Sequence, residues 1–335
     1  MLRCLAHLGF ASLALLVTGC VNLTGHGPVS AGTMRKLQAG TISKAEFQTR
    51  LQGLDQSIRT SLPAHDVTVP FELRSGTPVI RVKGPRDEPM EMLLDTGAAR
   101  LVMGAEDAVK AGVATIDSRQ VQATMLGVVG KEMGLVGLLT PLQIGAWSLP
   151  AYPCFVRTFE NFGQGVHYPA NILGFDLPTR YCSYLTIDYR TKKATFGFRD
   201  SFRPNSLLRH STAPFRVQQG VAFINLESKG VKWSCLLDTG SFNGIEIDEA
   251  IATKLGVQDQ GKIVEGLILV AVGGTVTSDK ARLRTVTLPE ITLLGGKYKQ
   301  AEIDISPGLP RVGSFFLKDY RVTFDFRQRR LWLEW

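Results

Sequence analysis

The chain has 335 residues, of which 44% are apolar and 20% charged. That balance excludes a disordered protein and provides enough chain for two domains, each burying its own core. The net charge is +8 with Lys and Arg scattered, and the only tight cluster is Arg327, Arg329 and Arg330. A nucleic-acid site would gather its charge on one face, so the pattern points to a solvated surface and no nucleic-acid partner. Glycine is abundant, at 34 residues, and helix-period stretches are scarce, which favours a β-rich chain with many turns.

Arg3 gives the N-terminal segment a positive start, an apolar stretch follows at residues 5–17, and the segment ends in Leu16, Val17, Thr18, Gly19 and Cys20. The stretch is short for a spanning helix. It resembles a bacterial lipoprotein signal, in which small residues precede a cysteine that is lipidated. The alternative is a plain secretory signal with an incidental cysteine. The resemblance implies a signal peptide at residues 1–19 and a lipid anchor on Cys20. Val21 stands where an aspartate commonly retains such proteins in the inner membrane. The expected location is therefore the cell envelope, on the outer membrane facing the periplasm. Of the other cysteines, Cys4 leaves with the signal. Cys154 and Cys182 lie in one half of the chain and are candidates to pair in an oxidising compartment. Cys235 sits in an apolar run and reads as a small buried hydrophobe. No cysteine or histidine has metal-ligand spacing, so neither metal nor cofactor is expected.

A polar tether spans residues 22–32. A helical segment follows from Met34 to about Thr60, broken once near Gly40. Ser43 with Glu46 three residues on is a capping box, and Phe47, Leu51, Leu54 and Ile58 recur at helical spacing. From Val67 the pattern becomes short alternating runs. Phe71 to Leu73 and Val79 to Val82 read as strands around a turn at Gly76, and a third strand from Met90 to Leu94 ends at Asp95, Thr96 and Gly97.

The same order then returns. Phe215 matches Phe71, Gly220 matches Gly76 and Leu226 matches Val82 at a single spacing, and Asp238, Thr239 and Gly240 follow Leu236 and Leu237. The ends of the halves agree as well. Leu173-Gly174 corresponds to Val312-Gly313. A closing segment Leu185, Thr186, Ile187, Asp188, Tyr189, Arg190 corresponds to Val322, Thr323, Phe324, Asp325, Phe326, Arg327. This is an internal duplication. Residues 201–212, with Pro204, read as its linker.

A single Asp-Thr-Gly is a weak signal, since a strand followed by a turn explains it. Two copies in matching places of a duplicated frame are not explained that way. The motifs at 93–98 and 236–241, with the two apolar-Gly elements, resemble aspartic peptidases of the retropepsin kind, joined in tandem as in pepsin-like enzymes. The resemblance covers residues 67–335. It implies a mainly β, bilobal acid-protease fold of two β-barrel-like lobes, preceded by the helical segment. The expected divisions are residues 20–65 for tether and helices, 66–200 for the first lobe, 201–212 for the linker and 213–335 for the second lobe.

What such a pair does follows from its chemistry. Two carboxylates about 3 Å apart cannot both ionise easily and share one proton, so one acts as base towards water and the other as acid towards the carbonyl oxygen. Asp95 and Asp238 are the expected catalytic pair. Thr96, Gly97, Thr239, Gly240 and Ser241 are expected to support it. The threonine hydroxyls would bond across to the opposite loop, and the Ser241 hydroxyl would bond Asp238. Ala98 holds the position equivalent to Ser241. Flap hairpins are expected around Gly127, Val128 and Val129 and around Val272 and Gly273; both lack the tyrosine of the pepsin flap. The implied substrate is a peptide or protein of the envelope, hydrolysed by a monomer with an intramolecular dyad. The rival expectation is a lipoprotein that keeps the fold but only binds peptide or serves as a scaffold.

Overall fold

A computed structural model describes residues 25–127, 130–162, 170–271 and 274–335. The expected signal peptide at residues 1–19 and Cys20 lie outside these residues. The chain is mainly β, and the duplication read from the sequence is visible strand by strand.

Each copy opens with a hairpin. Val67–Arg74 pairs with Thr77–Lys83, and Arg216–Gln218 with Val221–Ser228. The turns match in backbone conformation. Ser75 and Gly76 have φ of 48° and 84°, and Gln219 and Gly220 have φ of 52° and 86°. Two consecutive left-handed residues make the tight turn whose twist fits a hairpin, and glycine adopts that conformation without steric cost.

The next strand of each copy, Pro89–Asp95 or Val231–Asp238, ends at the motif aspartate. The apolar-Gly strand then inserts beside it. Asn171–Gly174 runs parallel to Pro89–Asp95 and antiparallel to Val102–Met103. Arg311–Gly313 does the same between Val231–Asp238 and Ile245–Ile247. Covered by neighbours on both sides, these strands need continuous apolar runs rather than alternation: Met92, Leu93 and Leu94 are all buried, as are Cys235, Leu236 and Leu237. In the second copy the ring of strands closes, because Val221–Ser228 also pairs with Arg284–Leu293. This makes a barrel with no free edge on that side.

The two lobes share a sheet. Tyr184–Asp188 pairs with Lys193–Gly197, which pairs with Val67–Arg74. Arg321–Asp325 pairs with Arg330–Glu334, which pairs with His210–Pro214. The two triplets join where Tyr184–Asp188 meets Arg321–Asp325 antiparallel, with Thr186 opposite Thr323. The two threonine hydroxyls lie 2.7 Å apart in a buried position. Phe175 packs against Phe324 with ring centroids 4.9 Å apart, and Phe215 against Phe324 at 5.7 Å. The shared sheet thus sits on an aromatic floor contributed by both halves.

Several expectations need correction. Within the expected tether, Gly25–Pro28 is a strand paired with Phe159–Phe162, and Ser30 caps a helix Ala31–Ala39. The helical segment breaks twice, giving Lys44–Leu51 and Leu54–Thr60 after the turn at Gly40. The second break falls at Gly53, whose φ is 75°. Only half of the capping box forms. Ser43 accepts from the Glu46 N–H, while the Glu46 carboxylate pairs with Arg50 at 2.7 Å. Phe47 and Ile58 are buried, with Phe47 against Ile116, Leu138 and Ala151 of the first lobe. The linker is shorter than residues 201–212, because 210–212 already belong to a strand of the shared sheet. Cys154, Cys182 and Cys235 are free, buried thiols.

Candidate active site

Asp95 and Asp238 sit at the ends of equivalent strands, opposite Gly174 and Gly313 in the parallel pairings. At each glycine the chain after the aspartate folds back with no room for a side chain. A Cβ on Gly174 would lie 2.3 Å from the Arg100 carbonyl oxygen, and one on Gly313 would lie 2.5 Å from that of Asn243. Two further backbone bonds repeat between the copies: the Phe175 N–H donates to Ala98 and the Ser314 N–H to Ser241, both at 2.8 Å. The apolar-Gly strand is therefore the anvil on which each aspartate loop rests.

The loops then lock to each other. The Thr96 hydroxyl donates to the Leu237 carbonyl and the Thr239 hydroxyl to the Leu94 carbonyl, each at 2.7 Å. Each hydroxyl also accepts from the opposite threonine's N–H, at 3.0 and 3.1 Å. Both threonines are buried, so these four reciprocal bonds replace water that the groups have lost.

This lock brings the carboxyls together. A Cβ added to Gly97 would lie 2.5 Å from Cγ of Asp238, and one added to Gly240 would lie 2.4 Å from Cγ of Asp95. Each motif glycine makes room for the carboxyl of the other half. The Gly97 N–H donates to Asp95 Oδ1 at 2.7 Å, and the Gly240 and Ser241 N–H groups both donate to Asp238 Oδ1 at 3.0 Å. Burial, and then the neighbouring Asp238 carboxyl, push the Asp95 carboxyl well above the ordinary carboxylate range, against the opposing pull of the backbone N–H groups.

Residues 80–177 match the family model described as aspartyl protease, a segment that holds Asp95 and the Leu173-Gly174 element. A solved aspartic proteinase from Irpex lacteus matches with a TM-score of 0.50 and 15% identity, over 80% of this chain and 97% of that one. The chain has the aspartic-peptidase fold. Family match and fold together make it a hydrolase of the aspartic-peptidase type. A search of curated proteins by sequence returns no match.

In this peptidase fold the expected support residues Thr96, Gly97, Thr239 and Gly240 all meet at the two aspartates. Ser241 also meets them, but through its backbone. Its hydroxyl does not bond Asp238: it accepts from the Asn243 N–H at 3.3 Å and reaches Glu246 Oε2 at 3.4 Å. Glu246 takes the hydroxyl because it is itself fixed by Ser306 at 2.7 Å and by Arg311 at 3.0 Å.

The flap expectations fall on two hairpins. Ala123–Leu126 pairs with Lys131–Leu139, and the Gly127 N–H donates to Gly130 at 2.8 Å below the tip. Ile268–Ala271 pairs with Gly274–Thr277. Val128, Val129, Val272 and Gly273 lie outside the described residues. Leu126 is largely exposed on the first hairpin.

Sequence reasoning missed the polar groups under the second loop. The Ser314 hydroxyl donates to the Thr239 carbonyl at 2.7 Å and shares a bond with the Tyr189 hydroxyl at 2.9 Å. The first loop has Phe175 and Phe326 at the equivalent positions. Arg311 also went unremarked, although comparing the copies residue by residue exposes it: the first copy has Ile172 there.

Proposed function

We propose that the chain is an endopeptidase in which Asp95 and Asp238 activate a water molecule for attack on a peptide carbonyl. The observation that carries this is the reciprocal packing of Gly97 against Asp238 and Gly240 against Asp95, which leaves the two carboxyls side by side in one chain. One proton is shared between them. The ionised carboxyl takes a proton from water as its oxygen bonds to the carbonyl carbon, and the protonated one gives its proton to the carbonyl oxygen. In the second step the C–N bond breaks, the amine leaves with the proton taken from water, and the acid regains its own from the tetrahedral intermediate. The site is complete within one chain, which supports a monomer. The first hairpin, with exposed Leu126, is the flap candidate for an extended peptide laid across the two aspartates. The lipoprotein-like residues 16–20 support anchoring at the envelope, with substrates drawn from envelope or periplasmic proteins.

The test is incubation of purified wild type, Asp95→Asn and Asp238→Asn with a diverse peptide library. Wild type is expected to yield new termini and both variants none; equal product patterns would leave the non-cleaving binder as the better description. The anchor is checked by fractionation, where Cys20→Ser is expected to leave the membrane fraction and a membrane-bound variant would refute lipidation.

A further inference from the structure

The two copies differ in charge beside the dyad. In the first, Ile172 stands opposite Val102 where the apolar-Gly strand meets the following strand. In the second, the same register places Arg311 opposite Glu246. Both side chains are buried, with 7% and 4% of their surface exposed. Arg311 Nε lies 3.0 Å from Glu246 Oε2, and its Nη1 lies 3.7 Å from Asp238 Oδ2. Glu246 is pinned in turn by Ser306 and contacted by Ser241. A guanidinium taken out of water is costly unless every face finds a partner, and here one face is turned to the dyad.

The other titratable groups around Asp238 supply no competing charge. They are Asp95 itself, the Tyr189 phenol and the Cys235 thiol, and burial holds the last two neutral by raising their ionisation. Among the described residues no cation lies within ion-pair distance of Asp95. The fixed positive charge is therefore one-sided, while the dyad it faces carries one negative charge and one proton.

Resting on the dyad function proposed above, we propose that Arg311 is a positioning residue that fixes the dyad's negative charge on Asp238 and leaves the shared proton on Asp95. Asp238 is then the base towards water and Asp95 the donor to the carbonyl oxygen. Glu246 keeps the guanidinium in place through Nε, while Nη1 faces Asp238. Burial raises the Asp95 carboxyl in the same sense. The first copy, with Ile172 and Val102, carries no such device, so the charge assignment does not alternate between lobes.

The test exchanges the second copy's pair for that of the first. Arg311→Ile with Glu246→Val removes both charges together and leaves no orphaned carboxylate. Arg311→Lys keeps the charge and serves as the conservative control. Each protein is checked for folding by circular dichroism. Two readouts follow: the pH profile of kcat/KM, and the titration of aspartate carboxyl carbons by NMR in the substrate-free protein. The exchange is expected to move the acid limb of the profile to higher pH, by up to about one unit, because Arg311 touches Asp238 directly while the loss of Glu246 offsets part of its effect. The first proton is expected to leave Asp238 in wild type and in Arg311→Lys, and to leave the two aspartates evenly in the exchange. An unmoved acid limb, an unchanged order of titration, or Lys behaving like the exchange would overturn the assignment. If wild type cleaves no peptide, the dyad function fails while the carboxyl titration still decides the role of Arg311.

Discussion

Asp95 sits where ionisation is costly, and that cost is measurable as stability. Its carboxyl is raised by burial and by Asp238, so between the ordinary aspartate range and the raised value the folded chain binds a proton that the unfolded chain has released. Stability from this group is complete below the ordinary value and is lost as pH rises through the raised one. Asp95→Asn stays neutral and can still accept from the Gly97 N–H. The variant is therefore expected to melt above wild type at neutral pH, with the gap closing as pH falls towards about 4, while turnover is lost. Thermal melts across that range check it; a gap independent of pH would rule out the buried carboxyl's ionisation as its source. At this scale the sequence was informative wherever the residue type was dictated by backbone geometry, as at Gly97 and Gly240. It misled at Ser241, whose hydroxyl reaches Glu246 only five residues on; what the local sequence does not mark is that Ser306 and Arg311 hold that carboxylate in place.

Elements show a similar division between what is local and what is not. The hairpins at Gly76 and Gly220 and the apolar strands into each aspartate were legible because turn chemistry and burial leave local marks. The pairing of Tyr184–Asp188 with Arg321–Asp325 was not, although both segments had been matched as copies. Strands distant in sequence carry no mark of which edge meets which. Their centre, the Thr186 and Thr323 hydroxyl pair, offers a test of how the lobes are joined. Replacing either threonine alone by valine leaves a buried hydroxyl without its partner, at an expected cost of about 1–3 kcal/mol. Replacing both removes both polar groups, so the double variant should be clearly less destabilised than the sum of the singles. Denaturant unfolding of the four proteins gives the coupling, and strict additivity would show that the hydroxyls do not depend on each other.

For the whole molecule, the resemblance anticipated the two lobes, but not how little of their union depends on the covalent connection. The connecting segment runs over the surface, and Leu207 within it is 90% exposed. Across a cut at that point lie the Thr96 and Thr239 lock, the pairing of Tyr184–Asp188 with Arg321–Asp325 and the Phe175 to Phe324 contact. The Tyr189 to Ser314 bond and the Asn205 N–H donated to Glu334 cross it too. His210–Pro214 stays paired with Arg330–Glu334 on one side of the cut, so no strand of the shared sheet is separated from its neighbour. A protease site inserted after Ser206 should therefore be cleaved readily. The fragments should still elute together in gel filtration, with peptide turnover kept within about twofold, because loop connectivity adds little once the ends are held by packing. Cleavage followed by separation of the fragments would mean that the shared sheet and the loop lock are too weak to hold the dyad. The two aspartates would then depend on the tether rather than on the frame around them.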